Sequence, residues 1–103
     1  MIQAFVFYPA ASRFDYDYYV HKHTPMVLEL WKPHGLIRVE ISKGVSGLAP
    51  GSAAKYCTIA VLTFISVEGL QAALAACGAQ VMGDIPNYTD SQPEIQINEL
   101  LPS

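Results

Sequence analysis

His23 is the residue with the clearest chemical potential, because it lies on an otherwise apolar helical stripe. It follows Tyr19 by four residues and precedes Val27 by four, a spacing that places the three side chains on one face of a helix. A neutral imidazole that faces a pocket can act as a general base or as a hydrogen-bond donor near neutral pH. A core histidine bonded to a carbonyl or a tyrosine fits the same position, and position alone favours that interpretation.

Aromatic side chains share this helix with the histidine. Tyr16, Tyr18 and Tyr19 cluster at its start, and Tyr16 and Tyr19 are predicted to face inward with His23. Trp31 flanks the same stripe near the helix end. Buried tyrosines need a partner for the hydroxyl group. These rings could line an aromatic pocket or fill the interface between helix and sheet, and residue type favours the core interpretation.

Polar side chains collect near the end of the chain. Asp84, Asn87 and Asp90 lie in a predicted loop, and functional side chains are often found on loops. Asp and Asn also form ordinary turns, so this signal is weak. Gln96 and Asn98 alternate with apolar residues on the last strand, and they are either solvated or contacts to a ligand or partner.

The sequence carries no motif for a bound cofactor or metal. Phosphate loops, dinucleotide fingerprints and nucleophile elbows are lacking. His21 and His23 point apart on a helix, and His34 lies in a turn that is predicted to be at the surface. Cys57 and Cys77 lack metal-type spacing, and we interpret them as reduced, buried thiols of a cytoplasmic protein. We therefore expect neither a cofactor nor a metal.

The composition favours a dimer. Charged residues make up 15% of the 103 residues, below the ~25% of typical soluble proteins, while hydrophobic residues reach 51%. A small domain with so few charges can bury its surplus apolar surface in a second subunit. A somewhat apolar monomer is the alternative.

Charge and hydropathy argue against two classes of partner. The net charge is −3 and the basic residues are scattered, so we expect no nucleic-acid partner. No apolar stretch approaches the ~20 residues of a membrane helix, and residues 1–5 do not resemble a signal peptide. The expected location is the cytoplasm.

The elements that must position these residues follow from the hydrophobic periodicity. Six are predicted in order: strand 2–8, helix 14–32, strand 36–43, strand 56–64, a helix from Ser66 to about Gly78, and strand 94–100. A short extra turn is expected at 80–84. Pro25 lies inside the first helix and predicts a kink or a fresh helix start there.

Two strands show which faces are buried. Ile37, Val39 and Ile41 are expected on one face of the second strand. The third strand is apolar on both faces. One face is predicted to hold Cys57, Ile59 and Val61, and the other Tyr56, Ala60, Leu62 and Phe64. A strand that is apolar on both faces needs a packing partner on each face. This predicts a dimer in which the sheets of two copies pack against each other.

The order β-α-β-β-α-β predicts one ferredoxin-like α+β domain over residues 1–103. Its four antiparallel strands would carry two helices on one face, leaving the other face for solvent or a partner.

Two segments resemble the EthD family, which is named for a role in ethyl tert-butyl ether degradation. Residues 14–26, with their tyrosine pair followed by His23 and Pro25-Met26, resemble its aromatic and His-x-Pro signature. Residues 83–99 resemble its Asp-Ile-Pro-Asn-aromatic segment and the strand that follows. The resemblance covers nearly the whole chain, and the two motifs together are fairly specific.

This resemblance implies a dimeric α+β barrel made of two ferredoxin-like protomers. It also implies that His23 is a pocket residue, because it matches the family's histidine, and Asp84 is carried over in the same way. Related dimeric barrels include cofactor-free monooxygenases, decarboxylases of aromatic polyketides and haem-handling enzymes. Fold analogy does not choose among these.

Three functional hypotheses remain open. The first is an EthD-like catabolic protein with a pocket for a small apolar or aromatic molecule, possessing cofactor-free oxygenase- or decarboxylase-type chemistry. His23 would be its catalytic residue, and Tyr19, Trp31, Asp84 and Tyr88 would contact the substrate. The second is a non-catalytic accessory or ligand-binding protein that supports a partner oxygenase. The third is a structural dimer with a filled core.

Overall fold

The structure, a computed structural model, describes residues 1–102. Its strands are β1 Ile2–Pro9, β2 Leu36–Lys43, β3 Tyr56–Phe64 and β4 Glu94–Glu99. Its helical elements are α1 Tyr16–Tyr18, a π-helical turn Tyr19–His23, α2 Thr24–Trp31, a 3₁₀ turn Lys32–His34, α3 Val67–Gly83 and a 3₁₀ turn Ile85–Asn87. No helix within residues 1–102 combines the length and apolar character that crossing a membrane requires.

The four strands form one antiparallel sheet in the order β2-β3-β1-β4. The most apolar strands, β1 and β3, lie in the middle, as burial on both sides of a central strand requires. The helices pack on one face, where Ala4 and Leu62 of the sheet meet Val27 of α2 and Leu70 of α3. This arrangement confirms the predicted ferredoxin-like α+β fold.

The first helical run continues past Pro25 because the turn before the proline widens. Asp15 caps the run by accepting a hydrogen bond from the Tyr18 backbone N–H at 3.0 Å. In the π-helical turn, the backbone N–H of Thr24 and its Oγ1 both donate to the carbonyl of Tyr19, the latter at 2.9 Å. The irregularity predicted at Pro25 therefore takes the form of a π turn, a feature that is frequent at functional sites.

The strand β2 contains a bulge that changes one predicted face. Leu36 pairs with Phe64 and Arg38 with Thr63, so Ile37 is an extra residue. Leu36 is consequently buried, whereas Ile37 is 41% exposed. The prediction that Ile37 shares the buried face of Val39 and Ile41 is wrong, since the bulge reverses the alternation at this point.

A second irregularity, at the start of β3, exchanges two more side chains. The β1–β3 register shifts between Tyr8 and Pro9, which pairs with Tyr56. The Tyr56 ring packs 5.1 Å from Phe7 on the face without helices. Cys57 packs on the helical side, against the buried cluster of Tyr8, Tyr19 and Tyr88. The predicted faces of Tyr56 and Cys57 are therefore reversed.

Helix α3 is longer than predicted. Ser66 caps it, as expected, by accepting a hydrogen bond from the Gly69 N–H at 3.1 Å. The predicted end at Gly78 is wrong, because this residue is buried within the helix and does not have the positive φ that ends a helix at glycine. The helix also absorbs the turn expected at 80–84, and it ends just before Pro86.

Candidate functional site

A cavity of about 200 Å³ lies between the helices and the sheet. Its walls are aliphatic except for a few aromatic and polar side chains, namely Tyr8, Tyr19, His23, Thr24, Trp31 and Tyr88. This is the composition expected of a small-molecule site, where a few polar groups orient a ligand held by apolar walls.

The cavity has a mouth between α3 and β4. Leu74 and Met82 of α3 and Ile95 and Ile97 of β4 all line the cavity, and each is between 42% and 45% exposed. A ligand that enters between these four side chains meets only apolar groups at the mouth.

His23 is buried at the end of the π-helical turn, with 6% of its surface exposed. Its Nδ1 lies 2.8 Å from Oδ2 of Asp84, the residue that directly follows α3. The other carboxylate oxygen of Asp84 accepts hydrogen bonds from the Tyr18 hydroxyl at 2.7 Å and from the Asn87 amide at 2.9 Å. The two helical segments thus bring together the histidine and the carboxylate that their sequence separates.

The surroundings set the protonation states of this pair. Burial lowers the pKa of His23 below its usual 6.5, and the hydrogen bond to Asp84 opposes this without cancelling it. For Asp84, burial raises the pKa, but hydrogen bonds from Asn87, Tyr18 and His23 outweigh burial and hold it below 3.8. At neutral pH the pair is a neutral imidazole beside a carboxylate. Since a carboxylate only accepts, Nδ1 carries the proton and Nε2 keeps its lone pair.

Two tyrosine hydroxyls continue the hydrogen-bonded chain from the other nitrogen of the ring. The Tyr88 hydroxyl lies 3.5 Å from His23 Nε2 and 2.8 Å from the Tyr8 hydroxyl. Burial raises the pKa of both tyrosines, which keeps them protonated. Because Nε2 accepts, Tyr88 donates to it and in turn accepts from Tyr8. Tyr19 completes the group by stacking on the imidazole at 5.3 Å with an interplanar angle of 13°.

Hydrogen bonds to three backbone carbonyls hold the segment that carries Tyr88 against the start of the first helical run. The Asp15 N–H donates to the Tyr88 carbonyl at 2.7 Å, and the Thr89 hydroxyl donates to the carbonyl of Arg13 at 2.7 Å. The Arg13 guanidinium donates to the Pro86 carbonyl at 2.6 Å. These contacts fix Tyr88 relative to His23.

Four of the five predicted site residues line the cavity, namely Tyr19, His23, Trp31 and Tyr88. Asp84 does not line it, and contacts His23 through the nitrogen opposite to Nε2. The Trp31 ring is buried against Phe64, with centroids 6.1 Å apart.

Of the remaining side chains, Tyr16 faces inward and His21 is exposed as predicted, whereas Tyr18 differs from the prediction. The Tyr16 hydroxyl donates to the Cys57 carbonyl of the sheet at 2.9 Å. Tyr18 was not among the tyrosines predicted to face inward, but its hydroxyl donates to Asp84. His21 is exposed beside Asp17. The two cysteines are free and half-buried.

The sequence reasoning missed the roles of Tyr8 and Arg13. The alternation of β1 places Tyr8 on the same face as Ala4 and Val6, which is a usable signal for burial. No local pattern could reveal that Arg13 holds a segment more than 70 positions away.

The fold and this site define a ferredoxin-like α+β protein that has a His–Asp pair beside an apolar cavity. The structure of an EthD-like protein from Ralstonia eutropha JMP134 superposes with a TM-score of 0.88 at 35% sequence identity, covering 95% of this chain and 89% of that chain. The chain belongs to the EthD family. No protein-family model and no curated protein matches it.

More distant structures share the fold alone. An ethyl tert-butyl ether (EthD) family protein from Bacillus halodurans C-125 has a TM-score of 0.76 at 19% identity, covering 98% of this chain and 99% of that chain. A dimeric ferredoxin-like protein from an uncultured marine organism has a TM-score of 0.61 at 13% identity, covering 99% and 94%.

Proposed function

We propose that this chain binds a small apolar or aromatic molecule in the cavity and that His23 acts on it as a general base through Nε2. The observation that carries the proposal is the buried, neutral imidazole whose Nδ1 is fixed by Asp84. A base held in one tautomer, with its lone pair directed away from the carboxylate, accepts a ligand proton once the ligand takes the place of the long 3.5 Å contact from the Tyr88 hydroxyl. The residues Tyr19, Trp31 and Tyr88 form the walls that orient the ligand.

The proton transfer is balanced by the groups that surround the imidazole. A ligand C–H or O–H bond breaks, its proton goes to Nε2, and its electron pair stays on the ligand as an enolate or phenolate. The resulting imidazolium is stabilised by the Asp84 carboxylate at 2.8 Å. Deprotonation of this kind precedes cofactor-free reaction with O₂, and the imidazolium can return a proton to carbon after a decarboxylation. Both chemistries therefore belong to the proposed function, and neither involves a cofactor.

The size of the cavity limits the ligand. A dry cavity of about 150 Å³ holds benzene. At about 200 Å³, the present cavity matches one ring with small substituents.

One observation favours a second function, that of a non-catalytic accessory or ligand-binding protein for a partner oxygenase. The Nε2 lone pair faces the Tyr88 hydroxyl at 3.5 Å rather than open space. A ligand without an acidic proton would then be held by the apolar walls and left unchanged.

We also propose that the chain forms a homodimer through the sheet face that carries no helices. At the centre of this face, Phe5 and Phe7 of β1 lie beside Val61 and Ile59 of β3, and all four are half-buried. Polar side chains of β2 and β4 flank them, including Glu40. An apolar centre with a polar rim is the usual anatomy of an interface, and the structural neighbour from an uncultured marine organism is described as a dimeric ferredoxin-like protein.

A cytoplasmic location, consistent with the free cysteines, is also part of this proposal.

Deuterium exchange at the benzylic carbon of phenylacetone in D₂O tests the base directly. The wild-type chain should accelerate exchange relative to buffer alone. His23→Gln should reduce that acceleration by a factor on the order of 10² or more. His21→Gln is the matched control, because His21 is an exposed histidine on the same helical run. Exchange that is unchanged in His23→Gln would rule out the base. Binding of phenylacetone without any accelerated exchange would favour the accessory function.

A further inference from the structure

Tyr18, the last residue of α1, does not line the cavity but contacts the carboxylate that holds His23. Its hydroxyl donates to Oδ1 of Asp84 at 2.7 Å, and the Asn87 amide donates to the same oxygen at 2.9 Å. His23 Nδ1 lies against the other oxygen, Oδ2, at 2.8 Å. The side-chain donors thus leave one carboxylate oxygen for the histidine and occupy the other. A carboxylate held at both oxygens cannot turn without breaking a hydrogen bond.

The π-helical turn Tyr19–His23 explains how two residues of one helical run reach the same carboxylate. Tyr18 and His23 are five positions apart, which places their side chains about 140° apart around a regular α-helix. In the π-helical turn a backbone N–H bonds to the carbonyl five residues earlier, so the turn holds more residues and each residue turns by a smaller angle. Both side chains therefore point to Asp84.

The ring of Tyr18 also lies near the other nitrogen of the imidazole. It stacks on Tyr88 with centroids 6.3 Å apart and an interplanar angle of 21°, and the Tyr88 hydroxyl contacts His23 Nε2. The Asp84 side chain is 13% exposed, so water can solvate Oδ1 when the phenol is absent. A mobile water does not fix the direction of the carboxylate. Loss of the Tyr18 hydroxyl alone should therefore affect the orientation of the carboxylate rather than its charge.

We propose that Tyr18 is a positioning residue for His23, because its hydroxyl holds the Asp84 carboxylate in the orientation that directs Oδ2 to Nδ1. This inference rests on the proposed function, in which His23 is the base. With the carboxylate fixed, the proton stays on Nδ1, and Nε2 stays available to the ligand. When Nε2 accepts a ligand proton, the same orientation keeps the negative charge beside the imidazolium.

Tyr18→Phe removes the hydroxyl and keeps the ring that packs on Tyr88. Tyr16→Phe is the matched control, because this second tyrosine of α1 donates to the Cys57 carbonyl instead. In ¹H–¹⁵N spectra of the ligand-free protein at pH 7, the Nδ1 proton of His23 should exchange with water several-fold faster in Tyr18→Phe than in the wild type. Tyr16→Phe should match the wild type. Unchanged exchange in Tyr18→Phe would show that the tyrosine only packs, and would overturn the proposal.

A hydroxyl proton of the wild-type chain gives a second test, which does not depend on a variant. The Tyr18 hydroxyl proton should be protected from exchange with water and should show a nuclear Overhauser effect to the Asn87 amide, because both groups donate to Oδ1. Free exchange of that hydroxyl proton would overturn the proposal even if Tyr18→Phe folds poorly.

Turnover of phenylacetone separates this inference from the function on which it rests. Tyr18→Phe should lower kcat for benzylic exchange by about tenfold and leave KM little changed, by analogy with the outer partners of metal-bound histidines, whose loss costs about 10–100-fold. If the wild type is active, but kcat and Nδ1 exchange are both unchanged in Tyr18→Phe, the base stands and the positioning role fails. If the wild type shows no turnover while Tyr18→Phe loosens the Nδ1 proton, the base fails and the positioning contact stands.

Discussion

At His23, burial and the Asp84 carboxylate act on the pKa in opposite directions, and burial prevails. The cost of charging a buried imidazole keeps the ring neutral, while the carboxylate determines which nitrogen carries the proton. A general base needs both conditions, since the lone pair must be free at the operating pH and must point towards the ligand. The positions of Tyr18 and Asn87 support them indirectly by keeping Asp84 ionised.

The lowered pKa of His23 predicts how stability depends on pH. Between the folded pKa of His23 and the unfolded value of 6.5, the unfolded chain binds more protons than the folded one. The contribution of His23 is therefore complete above pH 6.5 and is lost as the pH falls through the folded pKa. Denaturant unfolding of wild type and His23→Gln between pH 5 and 8 should show a smaller loss on acidification in the variant. Parallel curves for the two proteins would contradict the buried, neutral imidazole.

Removing the negative charge of Asp84 should disable the base without emptying the site. Asp84→Asn retains the size of the side chain, but its amide can donate to Nδ1 and so favour the wrong tautomer of His23. We expect benzylic exchange of phenylacetone to fall by about 10² or more, with binding of the ketone little changed. Asp90→Asn is a suitable control, because Asp90 is exposed and bonds to Ser12 and Arg13 outside the cavity. Full activity in Asp84→Asn would show that the carboxylate does not orient the histidine.

At the scale of elements, the hydrophobic periodicity of the sequence predicted the regular strands and helices. The strands, both helical regions and the cap at Ser66 follow from local patterns, and so does the burial of His23 on its stripe. The errors on the sheet occur at Ile37, Tyr56 and Cys57, where an irregular register reverses the faces, because register is decided by pairing with another strand. The helix end predicted at Gly78 is a further error. The π-helical turn and the contact of Asp84 with His23 likewise depend on tertiary packing, which local pattern does not encode.

The close approach of α3 to the 3₁₀ turn Lys32–His34 requires glycine at one position. A Cβ atom at Gly69 would lie 2.2 Å from the carbonyl oxygen of His34, so backbone would have to move. Gly69→Ala should lower the free energy of unfolding by about 1–3 kcal/mol, as overpacking does. Gly83→Ala is the control within the same helix, because nothing lies within 4 Å of its added Cβ, and it should change stability by at most about 1 kcal/mol in the stabilising direction. Chemical denaturation measures both, and an unaltered Gly69→Ala would contradict the tight contact.

At the scale of the whole molecule, the two faces of the sheet differ in what lies against them. The helical face encloses the cavity, and the opposite face presents an apolar centre around Phe5 and Val61. A second copy of the chain, as proposed above, would cover that centre in the way that the helices cover the opposite face.

Charge placed in the centre of the open face should separate the proposed dimer. Val61→Arg puts a cation at the centre of this apolar face, opposite Glu40 of β2, and taking the cation and its partner charge out of water strongly opposes association. We expect a dimer for the wild type and a monomer for Val61→Arg in sedimentation velocity. Val45→Arg, at a loop residue that is 93% exposed, should remain dimeric. A wild-type monomer, or a variant that associates as well as the wild type, would place the interface elsewhere or remove it.

The central claim is that a neutral His23, protonated on Nδ1, offers Nε2 to a ligand in the cavity. Long-range ¹H–¹⁵N spectra of the imidazole at pH 7, recorded with and without 4-hydroxyacetophenone, a single-ring compound with a phenolic proton, test it most directly. We expect a protonated Nδ1 throughout. The Nε2 resonance should start as that of an unprotonated nitrogen and shift towards the protonated range when the ligand is added. A proton on Nε2 in the free protein, or an imidazole that does not respond to the bound ligand, would contradict it.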